Sequence, residues 1–244
     1  FFLVMERQLA SIVGCGEFTI CISGGSEVYS FGYSPHDSHG HEEDRFYLPT
    51  KVPTLKNIKS LSVGAHTVCL DYDGNVFTMG NNDYGQLGIG EYNDTLDYTH
   101  IPQKVNLPRC KQVSCGIFFT ICLTEDGSLY SFGHNGDGTL GLGNQDRFNT
   151  PQRIESLKDV EFIECGSEHV FCKTEDNKIF CWGNNRFGQL GLGNTNNVNV
   201  PTQCINVPNE IIVDIKSGMY HGLMLISNGN VFSCGRNIYG ELGR

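Results

Sequence analysis

The sequence has no run of about 18 apolar residues, and its opening FFLVMERQL meets charge too soon for a spanning helix or an export signal. Membrane insertion is not expected. Cations are scarce: 17 Lys and Arg against 27 Asp and Glu give a formal charge of −10, the wrong balance for gripping phosphate backbones. Direct nucleic-acid binding is not expected either. No GxSxG elbow and no GxxxxGK[ST] loop occurs, so catalysis has no candidate constellation and no cofactor is implied. CxxC and CxxH pairs are also missing, which argues against a zinc site. The eleven cysteines are odd in number, in a long chain without a visible export signal. They read as small buried hydrophobes of an intracellular protein, cytoplasmic or nuclear.

With 18% charged and 11% aromatic residues, the chain lacks the signature of disorder and should fold. Glycine is what it has in excess: 30 of 244 residues, about 12% against a usual ~7%. No collagen period or Gly/Ser linker accounts for them, so they should serve turns.

Five segments repeat: VGCGEFTICISGGSEVYSFG, SVGAHTVCLDYDGNVFTMG, SCGIFFTICLTEDGSLYSFG, ECGSEHVFCKTEDNKIFCWG and KSGMYHGLMLISNGNVFSCG. Their closing glycines, Gly32, Gly80, Gly133, Gly183 and Gly235, are 48, 53, 50 and 52 residues apart. A period near fifty means stacked supersecondary units. Each unit holds two β-prone runs, such as Thr67–Leu70 and Val76–Met79, around a turn at Gly74, Gly127 or Gly229, with Asn177 in the fourth copy. Positive φ is expected at all four positions. A further strand precedes each first glycine, as in Ile58–Val63, and a Pro-led strand such as Pro49–Val52 makes four. The predicted fold is all-β, a β-propeller of four-stranded antiparallel blades forming one domain over 1–244, with units near 1–48, 49–101, 102–150, 151–200 and 201–244.

After each hairpin comes a loop: NNDYGQLGIG, HNGDGTLGLG, NNRFGQLGLG and RNIYGELG. With the hairpin core, this loop resembles the repeat of the regulator of chromosome condensation family, whose members are seven-bladed propellers. The first copy departs, reading YSPHDSHGHE from Tyr33, yet Gly40 follows Gly32 by the same eight residues that separate Gly88 from Gly80. Five blades in an open arc would expose apolar faces. A tighter five-blade ring, a partner chain, or two further blades in a longer protein would cover them, and the last is the favoured expectation.

In a propeller, equivalent positions form rings. One ring holds Phe18, His66, Phe119, His169 and His221; the residue before each is Glu17, Ala65, Phe118, Glu168 and Tyr220. The resemblance implies that these loops share one face near the axis. In family members that exchange nucleotide on a Ran-type GTPase, acids and histidines of this loop class touch the GTPase. Glu168–His169 matches that pair, and Glu17–Phe18 matches the acid alone. The expected partner site is Glu17, Phe18, His66, Phe118, Glu168, His169, Tyr220 and His221. The opposing reading packs the histidines beneath the loop and leaves Glu17, Phe118, Glu168 and Tyr220 exposed.

The expected function is protein binding, with regulation of a small GTPase as the sharper form and a scaffold or substrate-recruiting module as the alternative. The family's exchange wedge has no counterpart here; the largest excess is a polar loop with Glu91, Asp94 and Asp97. His36, His39 and His41 have spacing compatible with Zn²⁺. A surface loop is the stronger reading, and no metal site is expected.

Overall fold

The computed structural model describes residues 9–15, 17–34, 38–90, 98–205 and 210–243. Gly16, His36, Glu91, Asp94 and Asp97 lie outside the described residues. The first sheet holds β1 (Leu9–Cys15), β2 (Phe18–Ser23), β3 (Val28–Tyr33) and β4 (Arg45–Lys51), and the second holds β5 (Ile58–Val63), β6 (His66–Asp71), β7 (Val76–Asn81) and β8 (Tyr98–Lys104). The third has β9 (Cys110–Cys115), β10 (Phe119–Thr124), β11 (Leu129–Gly133) and β12 (Phe148–Arg153). The fourth has β13 (Val160–Cys165), β14 (His169–Thr174), β15 (Ile179–Gly183) and β16 (Val198–Gln203). A fifth, three-stranded among the described residues, has β17 (Ile212–Ser217), β18 (His221–Ile226) and β19 (Val231–Gly235). Every sheet is an antiparallel meander in chain order.

Turn chemistry makes the meanders. Gly74, Gly127 and Gly229 have φ of 81°, 79° and 86°, and Asn177 has 62°, the left-handed geometry the hairpins demand. In the first hairpin Ser26 does the same at 59°. The Asp126 carboxylate accepts the Thr124 hydroxyl at 2.5 Å and the Ser128 N–H at 3.2 Å, which holds its pKa below the ordinary carboxylate range. In the second hairpin that work falls to Asp71, which accepts the N–H groups of Asp73 and Asn75, rather than to the Asp73 of the turn itself.

Sheets and sequence units are out of phase by one strand. The Pro-led strand that opens a sequence unit closes the sheet of the unit before it: β4 lies on β3 with Ser30 opposite Thr50 and Tyr29 opposite Lys51. The chain thus stitches each blade to its successor.

The innermost strands β1, β5, β9, β13 and β17 touch their neighbours in that order. No comparable contact joins the first and fifth sheets among the described residues, so the sheets form an arc rather than a closed five-bladed ring. Burial agrees. All of β10 is buried, whereas four of the six residues of β18 are half-buried. Apolar clusters fill the spaces between successive sheets; one joins Phe119, Ile121 and Leu140 of the third blade to Val170, Cys172 and Trp182 of the fourth. Close approach at the inner edge requires glycine: a Cβ on Gly116 would collide with the Phe119 ring and with the carbonyl oxygen of Ser167 in the next blade. Across that seam Ala65 N–H donates to Ile117 O at 2.9 Å, and Ile117 N–H donates to Ser167 O at 3.0 Å.

Candidate protein-binding face

Two loop classes meet on one face. The carbonyl oxygens of Glu17, Ala65, Phe118, Glu168 and Tyr220 accept the N–H groups of Tyr33, Asn81, His134, Asn184 and Arg236 at 2.8–3.3 Å, one bond per blade. Each pre-hairpin residue is therefore pinned to the start of its own blade's NNxxGQLG-type loop.

That loop is held by its own side chains. Asn82, Asn135, Asn185 and Asn237 each accept, through Oδ1, the N–H of the leucine five residues on, at 2.9–3.1 Å. Leu87, Leu140, Leu190 and Leu242 are buried there. Gln189 bridges the loop, accepting Phe187 N–H at 3.0 Å and donating to Asn184 Oδ1 at 3.0 Å, and Gln86 bridges Tyr84 and Asn81 likewise. In the fifth blade an ion pair replaces the amide pair: Arg236 Nε donates to Glu241 at 2.9 Å, while Glu241 accepts Tyr239 N–H at 2.8 Å.

In the first blade His39 occupies the buried leucine position. Ser30 Oγ donates to the His39 carbonyl at 2.7 Å, as Thr78 Oγ1 donates to that of Leu87. The loop therefore keeps its length and anchor with altered residues. His39 is a core residue stacked edge-on against Phe46, not a surface ligand. No group of three or more metal-ligating side chains occurs among the described residues.

The structure divides the expected site into two layers. Phe18, His66 and His169 are buried beneath the loop. His221 is half-buried. His66 Nε2 sits 2.7 Å from Thr120 Oγ1 of the next blade, and Thr120 Oγ1 donates to Gln86 O at 2.9 Å, so His66 is the donor. Burial pushes its pKa down to about 3. The residue that would serve His169 as Thr120 serves His66 is Gly222, against which Phe171 packs. Both His169 nitrogens lack a hydrogen-bond partner, Nε2 for want of that hydroxyl, and burial, aided by nearby His221, lowers its pKa to about 4.

The upper layer reaches solvent: Glu17 is exposed, and Phe118, Glu168 and Tyr220 are half-exposed. Phe118 and Tyr220 meet the loop of the preceding blade directly, and Glu168 shares Asn184 of its own blade's loop with Asp137 of the preceding one. Tyr84 packs on Phe118 at 5.0 Å between centroids and on His134 at 4.8 Å. Asp137 accepts Asn184 Nδ2 at 2.8 Å and Asn197 Nδ2 at 2.7 Å, and Asn184 also reaches Glu168 at 3.2 Å. Phe187 packs on Tyr220 at 5.1 Å, with the Arg236 guanidinium 4.9 Å over Tyr220 and 5.4 Å from the ring of Tyr239. Successive junctions are thus aromatic, polar, and aromatic with a cation. Tyr84, His134, Asp137, Phe187, Arg236 and Tyr239 complete the face and were not singled out from the sequence. Their signal was present: the residue before the loop glycine reads Tyr84, Asp137, Phe187 and Tyr239, large or charged where a plain turn asks for neither.

Beside this face an open groove of about 1000 Å³ runs along the inner edge, past Ala65, Ile117, Ser167 and Met219. Met219 is exposed.

Sequence and fold comparisons agree on kinship. A family model described as "Regulator of chromosome condensation (RCC1) repeat" matches residues 73–123, 126–172 and 176–225, and a second of the same description matches 58–86, 110–139 and 160–189. The ultraviolet-B receptor UVR8 of Arabidopsis thaliana is 31% identical over 97% of this chain and 55% of its own length. The human E3 ubiquitin-protein ligase HERC2 is 30% identical over 93% of this chain but 5% of its own. Among solved structures, Prp20p of Saccharomyces cerevisiae superposes with a TM-score of 0.82 at 25% identity, covering 96% of this chain and 58% of that one. The chain therefore spans little more than half of UVR8 and Prp20p. With five in-phase meanders, the side-chain-locked loops and three consecutive model matches, the chain belongs to the regulator of chromosome condensation repeat family.

Proposed function

We propose that this protein is a binding propeller that engages a protein partner through the loop face. The observation that carries the reading is the composite junction of Phe187, Tyr220, Arg236 and Tyr239, where rings and a guanidinium from two blades stack at a solvent-facing site. Interface hot spots favour these residue types. Glu17 and Glu168 supply the negative charge, and the buried Phe18, His66 and His169 set the height of the loop. Buried cysteines outside any disulfide, such as Cys69, Cys122 and Cys172, fit a reducing compartment, cytoplasm or nucleus. No helix among the described residues is long and apolar enough to cross a membrane.

Regulation of a small GTPase is the sharper form of this reading. Its support is family membership and the Prp20p structure, which was described together with binding to Gsp1p and histones. Release of a fluorescent guanine nucleotide from a Ran-type GTPase tests it: acceleration at micromolar protein, reduced at least tenfold by Glu168→Ala with Tyr220→Ala, is expected. Unchanged release with and without the protein refutes exchange. The match to HERC2, confined to 5% of a ligase, favours a second reading as a recruiting module within a larger protein. In that case the same pair of substitutions weakens partner capture and leaves nucleotide release untouched.

A further inference from the structure

Each seam between consecutive blades is filled, beneath the loop of the earlier blade, by a pair of facing residues from the later one. The residue before the closing glycine is Met79, Phe132 and Trp182 in the second, third and fourth blades, and its cross-strand partner is Thr67, Thr120 and Val170. All six are buried. In the fifth blade the same two positions hold Cys234 and Gly222. Both lie on the face of the sheet turned toward the fourth blade, where Cys234 and Met224 pack on the cluster that contains Phe171.

The seam is looser for it. A Cβ on the loop glycine of the earlier blade would stand 3.1 Å from the Met79 sulfur at Gly40, 2.6 Å from the Phe132 ring at Gly88 and 2.9 Å from the Trp182 ring at Gly141, but no nearer than 3.6 Å to Cys234 at Gly191. A partly enclosed cavity of about 610 Å³ occupies the space, walled by Phe171, Leu190, Cys204, Ile215, Met224 and Cys234. Apolar cavities hold water poorly and accept aromatic rings, with a few polar groups fixing the orientation.

One polar group is in place. In every earlier seam the carbonyl just before the loop's leucine position takes a side-chain donor from the next blade: Ser38 O from Thr67 Oγ1 at 2.6 Å, Gln86 O from Thr120 Oγ1 at 2.9 Å, and Thr139 O from Trp182 Nε1 at 2.9 Å. At the last seam Gly222 has no side chain to offer, and the Gln189 carbonyl takes the Cys234 thiol at 3.0 Å. A thiol is a weak donor. The fourth blade shows which group supplies both bulk and a strong donor at this place, since the Trp182 indole fills its seam completely and spends its N–H on the loop carbonyl.

We propose that the seam between the fourth and fifth blades binds a small, neutral, flat aromatic molecule carrying a ring N–H, an indole in chemical class. Its rings lie against Phe171 and Met224, and its N–H donates to the Gln189 carbonyl. This site is buried between blades and is separate from the protein-binding face.

The probe is indole itself, titrated calorimetrically into the whole chain, with indene as the analogue of the same shape that lacks the N–H. Saturable one-to-one binding of indole is expected, with indene at least tenfold weaker. Cys234→Phe puts the ring of Phe132 into the space and should abolish binding while the melting temperature stays at or above that of the wild type. Gly222→Thr restores the hydroxyl that Thr120 supplies and should weaken indole binding at least tenfold, which keeps the test decisive where the first variant does not fold. Absence of saturable binding to the wild type at millimolar indole overturns the proposal. So does equal affinity for indene, or unchanged indole binding in either folded variant.

Discussion

Acid should weaken the fold through two buried imidazoles, and His169→Phe isolates one of them. In the folded protein burial depresses His66 to about 3 and His169 to about 4, while both titrate near 6.5 once unfolded. The folded state keeps both rings neutral, so the unfolded state binds more protons as the pH drops below about 6.5, and stability falls with it. The loss continues until the folded pKa is reached, about 4 for His169 and about 3 for His66. At pH 5 each ring costs about 2 kcal/mol relative to pH 7.5, at ~1.4 kcal/mol per unit of separation. Phenylalanine fits the slot: Phe119 holds it in the third blade and lies over Gly116 as His169 lies over Gly166. His169→Phe should be about 1 kcal/mol more stable than the wild type at pH 7.5, because two unpartnered nitrogens leave the core. At pH 5 the advantage should widen to about 3 kcal/mol. Urea unfolding followed by Trp182 fluorescence reads it, since Trp182 is the sole tryptophan, is buried, and sits opposite Val170, next in chain to His169. Carboxylates such as Asp126 and Asp176 titrate alike in both proteins and cancel. An advantage of equal size at the two pH values would refute the argument.

Gly116→Ala should destabilise by about 1–3 kcal/mol by forcing the Phe119 ring or the Ser167 carbonyl aside. Gly14→Ala, with open space where its Cβ would stand, should change the urea midpoint little. Arg236→Asn and Glu241→Gln should each lower the melting temperature by a few degrees. Together they recreate the amide pair of Asn184 and Gln189 and should restore most of the loss, which a thermal double-mutant cycle would show. Replacing His36, His39 and His41 with Ser should leave any Zn²⁺-dependent thermal shift unchanged, because His39 is already occupied as a core residue.

The architecture was readable because the signals that specify a blade are local. Gly74, Asn177 and their equivalents announce each hairpin, and the fifty-residue spacing announces the stack. What stayed hidden depends on neighbours three strands or a whole blade away. The sequence shows Pro49 ahead of β5 but not that its strand lies on β3. His66 and His169 look alike in sequence, yet one finds Thr120 in the next blade and the other meets Gly222. Tyr84 and Phe118 are 34 positions apart and become a pair only once two blades stand side by side.

Because every loop-face cluster draws residues from two consecutive units, recognition here is a property of order rather than of any one unit. Shuffling the same units would preserve the sheets while scrambling each cluster. A lineage duplicating or deleting one unit would therefore rewrite two adjoining addresses at a stroke and leave the others readable.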